Sequence, residues 1–201
     1  MRNTERMKSV SKEASDQIFT NARTHSAWHN QPVTTDTLHR LYDLFKFAPT
    51  AANSNPARIL FVTTPEAKEK LVTCVDAGNV KKILEAPVCA IIAHDLEFYE
   101  KLPKLFPHAD ARSWFAGNKE LVDTTAFRNS SMTGAYLMLA ARSLGMDCGP
   151  MSGFDNAKVD RAFFGGTSWR SNFLCNLGYG DESKLFPRLP RLSFGEACKI
   201  V

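Results

Sequence analysis

The sequence has no apolar run approaching the roughly 20 residues that a membrane helix needs. Its longest, Ala86 to Ala93 and Tyr136 to Ala141, fall far short, which predicts a soluble protein. There is no CxxC pair. The cysteines, Cys74, Cys89, Cys148, Cys175 and Cys198, are odd in number and mostly set among apolar neighbours. They read as reduced core residues of a cytosolic protein, with neither a disulfide nor a metal role. No GxGxxG and no Walker loop is present, which disfavours a Rossmann or phosphate-loop site. No GxSxG elbow surrounds Ser152 and no histidine is placed to complete a serine triad, so hydrolase chemistry lacks support. Basic residues form no stripe: charged residues make up 23% of the chain and the net charge of +4 is dispersed, which argues against nucleic acid as a partner. The first fifteen residues are polar and lack the apolar centre of a secretory signal, so a cytoplasmic location is expected, with Met7 a candidate alternative start.

What is there is enough for one core. The chain has 201 residues, 44% of them apolar, and predicts a single domain over 1–201. Lys12 to Ala22 carries Ala14, Ile18, Phe19 and Ala22 at helical spacing. After Pro32, Thr34 to Asp36 offers a cap for a helix that buries Leu38, Leu41, Leu44, Phe45 and Ala48. Ala57 to Thr63 predicts a first strand, Pro65 to Cys74 a short helix and Val80 to Leu84 another turn. The near-continuous apolar run Ala86 to Ala93 predicts a central strand covered on both faces. Lys119 to Leu144 has no proline and stops at Gly145, a C-cap position, which predicts a long helix. Its second half is apolar nearly all round, as in a helix buried deeply or facing a second subunit. Cys148 to Asp155 reads as a Gly/Pro-punctuated loop, Asn156 to Phe164 as a helix and Phe173 to Tyr179 as a strand. Between His94 and Gly117 an irregular stretch carries Phe98, Tyr99, Phe106, Trp114 and Phe115, either a lid over a pocket or a packed excursion.

Three features bear on chemistry. Phe47 to Val62 passes from a helix end through Pro49, Thr50, Ala51, Ala52, Asn53, Ser54 and Asn55 into an apolar strand. Such a loop offers backbone and amide groups to a flat, polar-edged ligand, or is a plain connection. Arg188 and Arg191 stand close together in a proline-restricted tail, where guanidinium groups can grip a phosphate or lie solvated. His25 and His29 have the spacing of zinc ligands on a helix, but no Glu lies between them and Gln31-Pro32 closes the segment, so solvated or locally bonded histidines are the better reading.

Read together, four segments resemble the flavin-dependent nitroreductase family: ARTHSAW (22–28), APTAANSNPA (48–57), GPMSGFD (149–155), and NLGYGD (176–181) with RLPRLSFGEA (188–197). Their order along nearly the whole chain carries the resemblance. DARSWF (110–115) and TAFRNSSM (125–132) add similarity to the branch containing the malonic semialdehyde reductases of pyrimidine degradation.

The resemblance implies an α+β fold with a central, mostly antiparallel sheet flanked by helices, in an intertwined homodimer with FMN between subunits. Arg23, Thr24, His25 and Ser26 would surround the phosphate, ribityl chain and pyrimidine edge. Asn79 and Lys82 would reach the ribityl and pyrimidine side, and Pro150, Met151, Ser152 and Gly153 would lie along the flavin ring. Arg188 or Arg191 would hold the phosphate, while Pro49, Thr50, Ala51 and Asn53 would come from the partner's opening loop. Ser26 stands where the family usually has a second basic residue, Asn55 and Ala57 where it has Gln and Trp, and Ser152 where some members have an acid. The implied activity is a two-step hydride exchange through flavin N5, from NADH or NADPH to malonic semialdehyde, giving 3-hydroxypropionate. Arg112 or Arg128 would meet the substrate carboxylate. A broad nitro-compound or quinone reductase, or a flavin-binding module without turnover, are the alternatives.

Overall fold

The computed structural model describes residues 8–201; the polar N-terminal start and Met7 lie outside this range. The centre of the fold is a four-stranded sheet in the order β1-β2-β4-β3. The strands are β1 (Ala57–Val62), β2 (Val88–Asp95), β3 (Asp147–Met151) and β4 (Trp169–Gly178). All three pairings are antiparallel. β2 is buried along its whole length, as its uninterrupted apolar run requires, because helices cover both faces of the sheet.

Alternation along β2 divides the core. Val88, Ala90 and Ile92 face one cluster with Leu41 and Phe45 of α2 (Thr35–Phe45) and Leu137 and Ala141 of α7 (Lys119–Ser143). Cys89, Ile91 and Ala93 face the opposite cluster. That cluster holds Leu71 of α3 (Pro65–Val72), Ile83 of α4 (Ala77–Glu85) and Val159 of α8 (Asn156–Phe163). A strand turns successive side chains to opposite faces, so the six residues Val88 to Ala93 serve both layers. Leu41, Ile83, Leu137 and Leu174 are fully buried, each contributing about 1.5–3 kcal/mol.

Local signals place the helices. The Thr34 hydroxyl accepts the N–H of Thr37 and caps α2, and the Asn118 side chain does the same for α7 through Leu121. The first helix is shorter than its periodicity predicts: α1 (Lys12–Ser15) passes into a π-helical turn, Asp16–Thr20. The aromatic stretch after β2 builds α5 (Leu102–Leu105) and α6 (Arg112–Phe115) around a third cluster of Phe98, Leu102, Ala111 and Phe115, closed by Val122 and Ala126 of α7. It is therefore a packed excursion with its own core.

Two expectations are corrected. Leu44, expected on the buried face of α2, is 45% exposed. The start of the expected 148–155 loop is β3, because β3 is an edge strand, where Pro150 forfeits no inward ladder bond and Gly149 is tolerated. β4 also begins four residues before the apolar run that marks it. The tail carries only the short α9 (Phe194–Ala197). Among the described residues, no helix is long and apolar enough to cross a membrane.

Candidate functional site

The segment 19–26 and the tail segment 184–191 meet in a cationic cleft of about 440 Å³. Arg23, Thr24 and Ser26 line it from the N-terminal side, Lys184, Arg188 and Arg191 from the tail, and Arg142 from the end of α7. Among the described residues, no acidic side chain lines it. Backbone carbonyls hold it open: Arg188 donates to the oxygens of Thr20 at 2.8 Å and Ala22 at 3.1 Å, and Arg23 donates to Phe186. Arg191 donates to Leu189 and Pro190 of its own segment. The buried Nε of Arg142 has no partner among the described residues. Five cations around one recess, with paired guanidinium donors, suit a phosphate dianion.

From the cleft, residues 22–28 run along the outer side of β3. Thr24 bridges to Cys148, and the N–H of His25 donates to the Cys148 carbonyl at 3.0 Å. His25 and His29 lie in extended chain, off any helix. The buried imidazole of His25 sits with Nε2 3.4 Å from Asp147, while Nδ1 lacks a partner among the described residues.

β3 then leads, over roughly 15 Å, from Cys148 through Pro150 and Met151 to Ser152 and Gly153, which meet the start of α4. The Gly153 carbonyl accepts from the N–H of Asp76 at 3.1 Å and from Asn79 Nδ2 at 2.9 Å. Lys82, one turn further along α4, donates to Asn79 Oδ1 at 3.1 Å. Asn176 of β4 secures that turn through the Lys82 carbonyl at 2.8 Å. A Cβ on residue 153 would fall 2.7 Å from Asp76 Oδ2 and 2.8 Å from Asn79 Nδ2, so any larger residue would push these two side-chain ends aside.

The opening loop stands elsewhere. Pro49, Ala51 and Asn53 are exposed. The loop bonds to the middle of α7, through Ala51 and Asn129, and to α5, through Asn53 and the Leu105 carbonyl. Among the described residues it has no hydrogen bond to the 23–26 segment or to the Gly153 corner.

The nitroreductase family description matches residues 19–179. The chain belongs to the nitroreductase family. A relative from Burkholderia lata named "Putative NADH dehydrogenase/NAD(P)H nitroreductase" is 60% identical over 194 residues, covering 96% of this chain and all of its own. Two solved structures share the fold. One is a "putative nitroreductase in complex with FMN" from Exiguobacterium sibiricum, with TM-score 0.83 and 16% identity, covering 97% of this chain and 100% of its own. The other is a "putative NAD(P)H:FMN oxidoreductase" from Staphylococcus epidermidis, with TM-score 0.84 and 18% identity, covering 96% and 98%.

In this nitroreductase-family chain, one group of expected residues converges and another does not. Arg23, Thr24, Ser26, Arg188 and Arg191 share the cleft, and Asn79, Lys82 and Gly153 share the far corner. Arg112 is already committed: its guanidinium makes a fork with Glu100, at 2.8 and 2.7 Å, on the surface. Arg128 is exposed on α7 with no ion-pair partner among the described residues. Neither lines the cleft. Sequence reading missed Asp76, Arg142 and Lys184. Asp76 had a legible signal as an N-cap type before a helix, whereas the two cations look like ordinary surface charges until the fold gathers them.

Proposed function

We propose that this chain is an FMN-dependent NAD(P)H oxidoreductase that works as a homodimer, and that its acceptor is malonic semialdehyde, reduced to 3-hydroxypropionate. The observation that carries the reading is the continuous track from the cationic cleft, along β3, to the corner of Asn79, Lys82 and Gly153. The donor set fits FMN: a cluster of cations for the phosphate, a glycine-bounded backbone edge beside it, and an amide with a lysine at the far end.

FMN, when bound, supplies the two-electron relay between nicotinamide and acceptor. The chain's own residues bind and orient. Arg23, Arg188 and Arg191 neutralise the phosphate, with Thr24, His25 and Ser26 beside them. Lys82 is a fixed positive charge at the pyrimidine end, held by Asn79. Pro150, Met151, Ser152 and Gly153 form the edge along which the ring lies. Pro49, Thr50, Ala51 and Asn53 serve the site of the partner subunit, which accords with their distance from the cleft in bonding terms. Exposed Tyr42 and Leu44 on α2, Phe47 in the turn that follows it, and Met132 and Tyr136 on α7 supply the apolar surface such a dimer would cover. Arg128, free of the commitment that occupies Arg112, is the better partner for the substrate carboxylate.

The name of the Burkholderia relative favours a second reading, in which a nitro compound or quinone is the acceptor. Anaerobic spectroscopy tests both. Flavin bands should bleach with NADH or NADPH and return with malonic semialdehyde. Return only with nitro compounds or quinones selects the second reading. A bound flavin that never bleaches identifies a binding module, and a protein that takes up no FMN refutes the site.

A further inference from the structure

The loop between α2 and β1 turns through left-handed backbone at three positions. Ala52, Asn53 and Asn55 have φ of 50, 50 and 42°; asparagine enters this region readily, whereas Ala52 does so only at a cost its surroundings must offset. Bonds at both ends hold the loop. At the start, Asn129 Oδ1 accepts the N–H of Ala51 at 2.9 Å. Across the loop, the Thr50 hydroxyl accepts the N–H of Asn55 at 3.2 Å. At the end, Arg58 donates to the Asn55 carbonyl at 3.0 Å and is itself fixed by Asp95 at 2.6 Å.

Asn129 is the informative member. It is 2% exposed in the middle of α7, a position an apolar side chain would fill without cost. Its Nδ2 donates to the Thr125 carbonyl one turn back, at 2.8 Å, which fixes the amide and aims its oxygen at the loop. A buried amide satisfied at both ends, with one end on a strained loop, sets that loop's position.

We infer that Asn129 is a positioning residue for the site: by holding the Ala51 N–H it sets where Thr50, Ala51 and Asn53 stand against the flavin bound across the subunit boundary. The inference rests on the reading under Proposed function. Asn129 acts through the loop, and the acceptor on its side chain is the part that matters.

Two variants of the full chain separate acceptor from bulk. Asn129→Leu keeps the number and branching of side-chain heavy atoms and removes the acceptor; Asn129→Asp keeps an acceptor oxygen. Flavin-stripped proteins are titrated with FMN, and kcat and KM are measured at saturating FMN. Asn129→Leu should weaken FMN about tenfold and lower kcat, with Asn129→Asp staying within about threefold of wild type. In the flavin-free protein, the Ala51 amide should exchange faster with solvent in Asn129→Leu only. If Asn129→Leu does not fold, Ala51→Pro removes the same bond from the loop side, since Thr50 already has the extended backbone that precedes proline (φ −138°, ψ 148°). It too should weaken FMN about tenfold. Wild-type affinity in Asn129→Leu or in Ala51→Pro overturns the inference, as does an Asn129→Asp protein that unfolds at the wild-type temperature yet loses as much as Asn129→Leu. These failures leave a flavin-loaded wild type intact; a wild type that takes up no FMN refutes the underlying reading and the inference with it.

Discussion

Gly180 stands against the ring of His25 so closely that a Cβ there would lie 1.9 Å from Nδ1. Around this contact the end of β4 is tied to the 22–28 segment. Trp28 bridges to Gly180, the N–H of His29 donates to the Tyr179 carbonyl at 2.8 Å, and the N–H of Gly180 donates to Asp147 at 2.9 Å. The imidazole is buried and cannot swing aside as a flexible chain end would. Gly180→Ala should therefore destabilise the protein by about 1–3 kcal/mol, read as a lower urea midpoint. His25→Ala in that background should restore part of the loss, and strictly additive effects would reject the clash as its cause.

The cleft predicts a discrimination between two ligands. Arg188→Met removes a cation and its two carbonyl contacts. FMN should bind more weakly by about tenfold or more, while riboflavin, which has no phosphate, should change little. Equal losses for both would mean that Arg188 only anchors the tail.

Much of the framework was legible in the sequence because it depends on local pattern. The apolar run of β2, the proline-free length of α7 and the Thr34 cap each report their own environment. Features that depend on distant chain were not legible. Pro150 argues against a strand unless the strand is known to be an edge, and only the sheet order reveals that. Asn53 and Asn55 are residue types that tolerate a left-handed backbone, but nothing local announces it at Ala52, and the anchor of the loop at Ala51 is Asn129, 78 residues away. The 23–26 segment drew notice through resemblance and Arg188 with Arg191 through their spacing, whereas Arg142 is legible only once α7 has delivered it beside Arg23 and Arg188.

His94 predicts a pH dependence of stability. It is buried at the end of β2 against the ring of Phe127, with Nδ1 unpartnered among the described residues. Burial holds its pKa below the ordinary 6.5; the carboxylates of Asp160, Asp123 and Asp95 oppose this and the Arg170 guanidinium reinforces it. Below pH 6.5 the unfolded chain takes up a proton that folded His94 resists. Stability falls through that window by at most about 1.4 kcal/mol per pH unit, and the fall ends once the folded group titrates. Denaturation midpoints between pH 7 and 5 should slope less in His94→Gln than in wild type; identical slopes would exclude this residue.

Arg58 and Asp95 form a largely buried pair at 2.6 Å, with side-chain exposures of 21% and 8%. Asp95 also accepts from Ser168 Oγ at 2.6 Å and from the N–H of Glu97 at 2.9 Å. Arg58→Met leaves a buried carboxylate without its cation and should cost about 3 kcal/mol. Asp95→Asn added to it should recover part of that in thermal unfolding; no recovery would place the loss in the packing of Arg58 on Trp169.

The proline on the outer strand makes the two borders of the sheet unequal. Pro150 has no N–H to offer a newcomer, and Thr24 already occupies the approach at Cys148, so β3 resists extension by stray chains. β1 has no such guard: Ala57 to Val62 is free of proline and, among the described residues, pairs on one side only. The sheet is therefore more open to a strand from outside the chain at β1 than at β3.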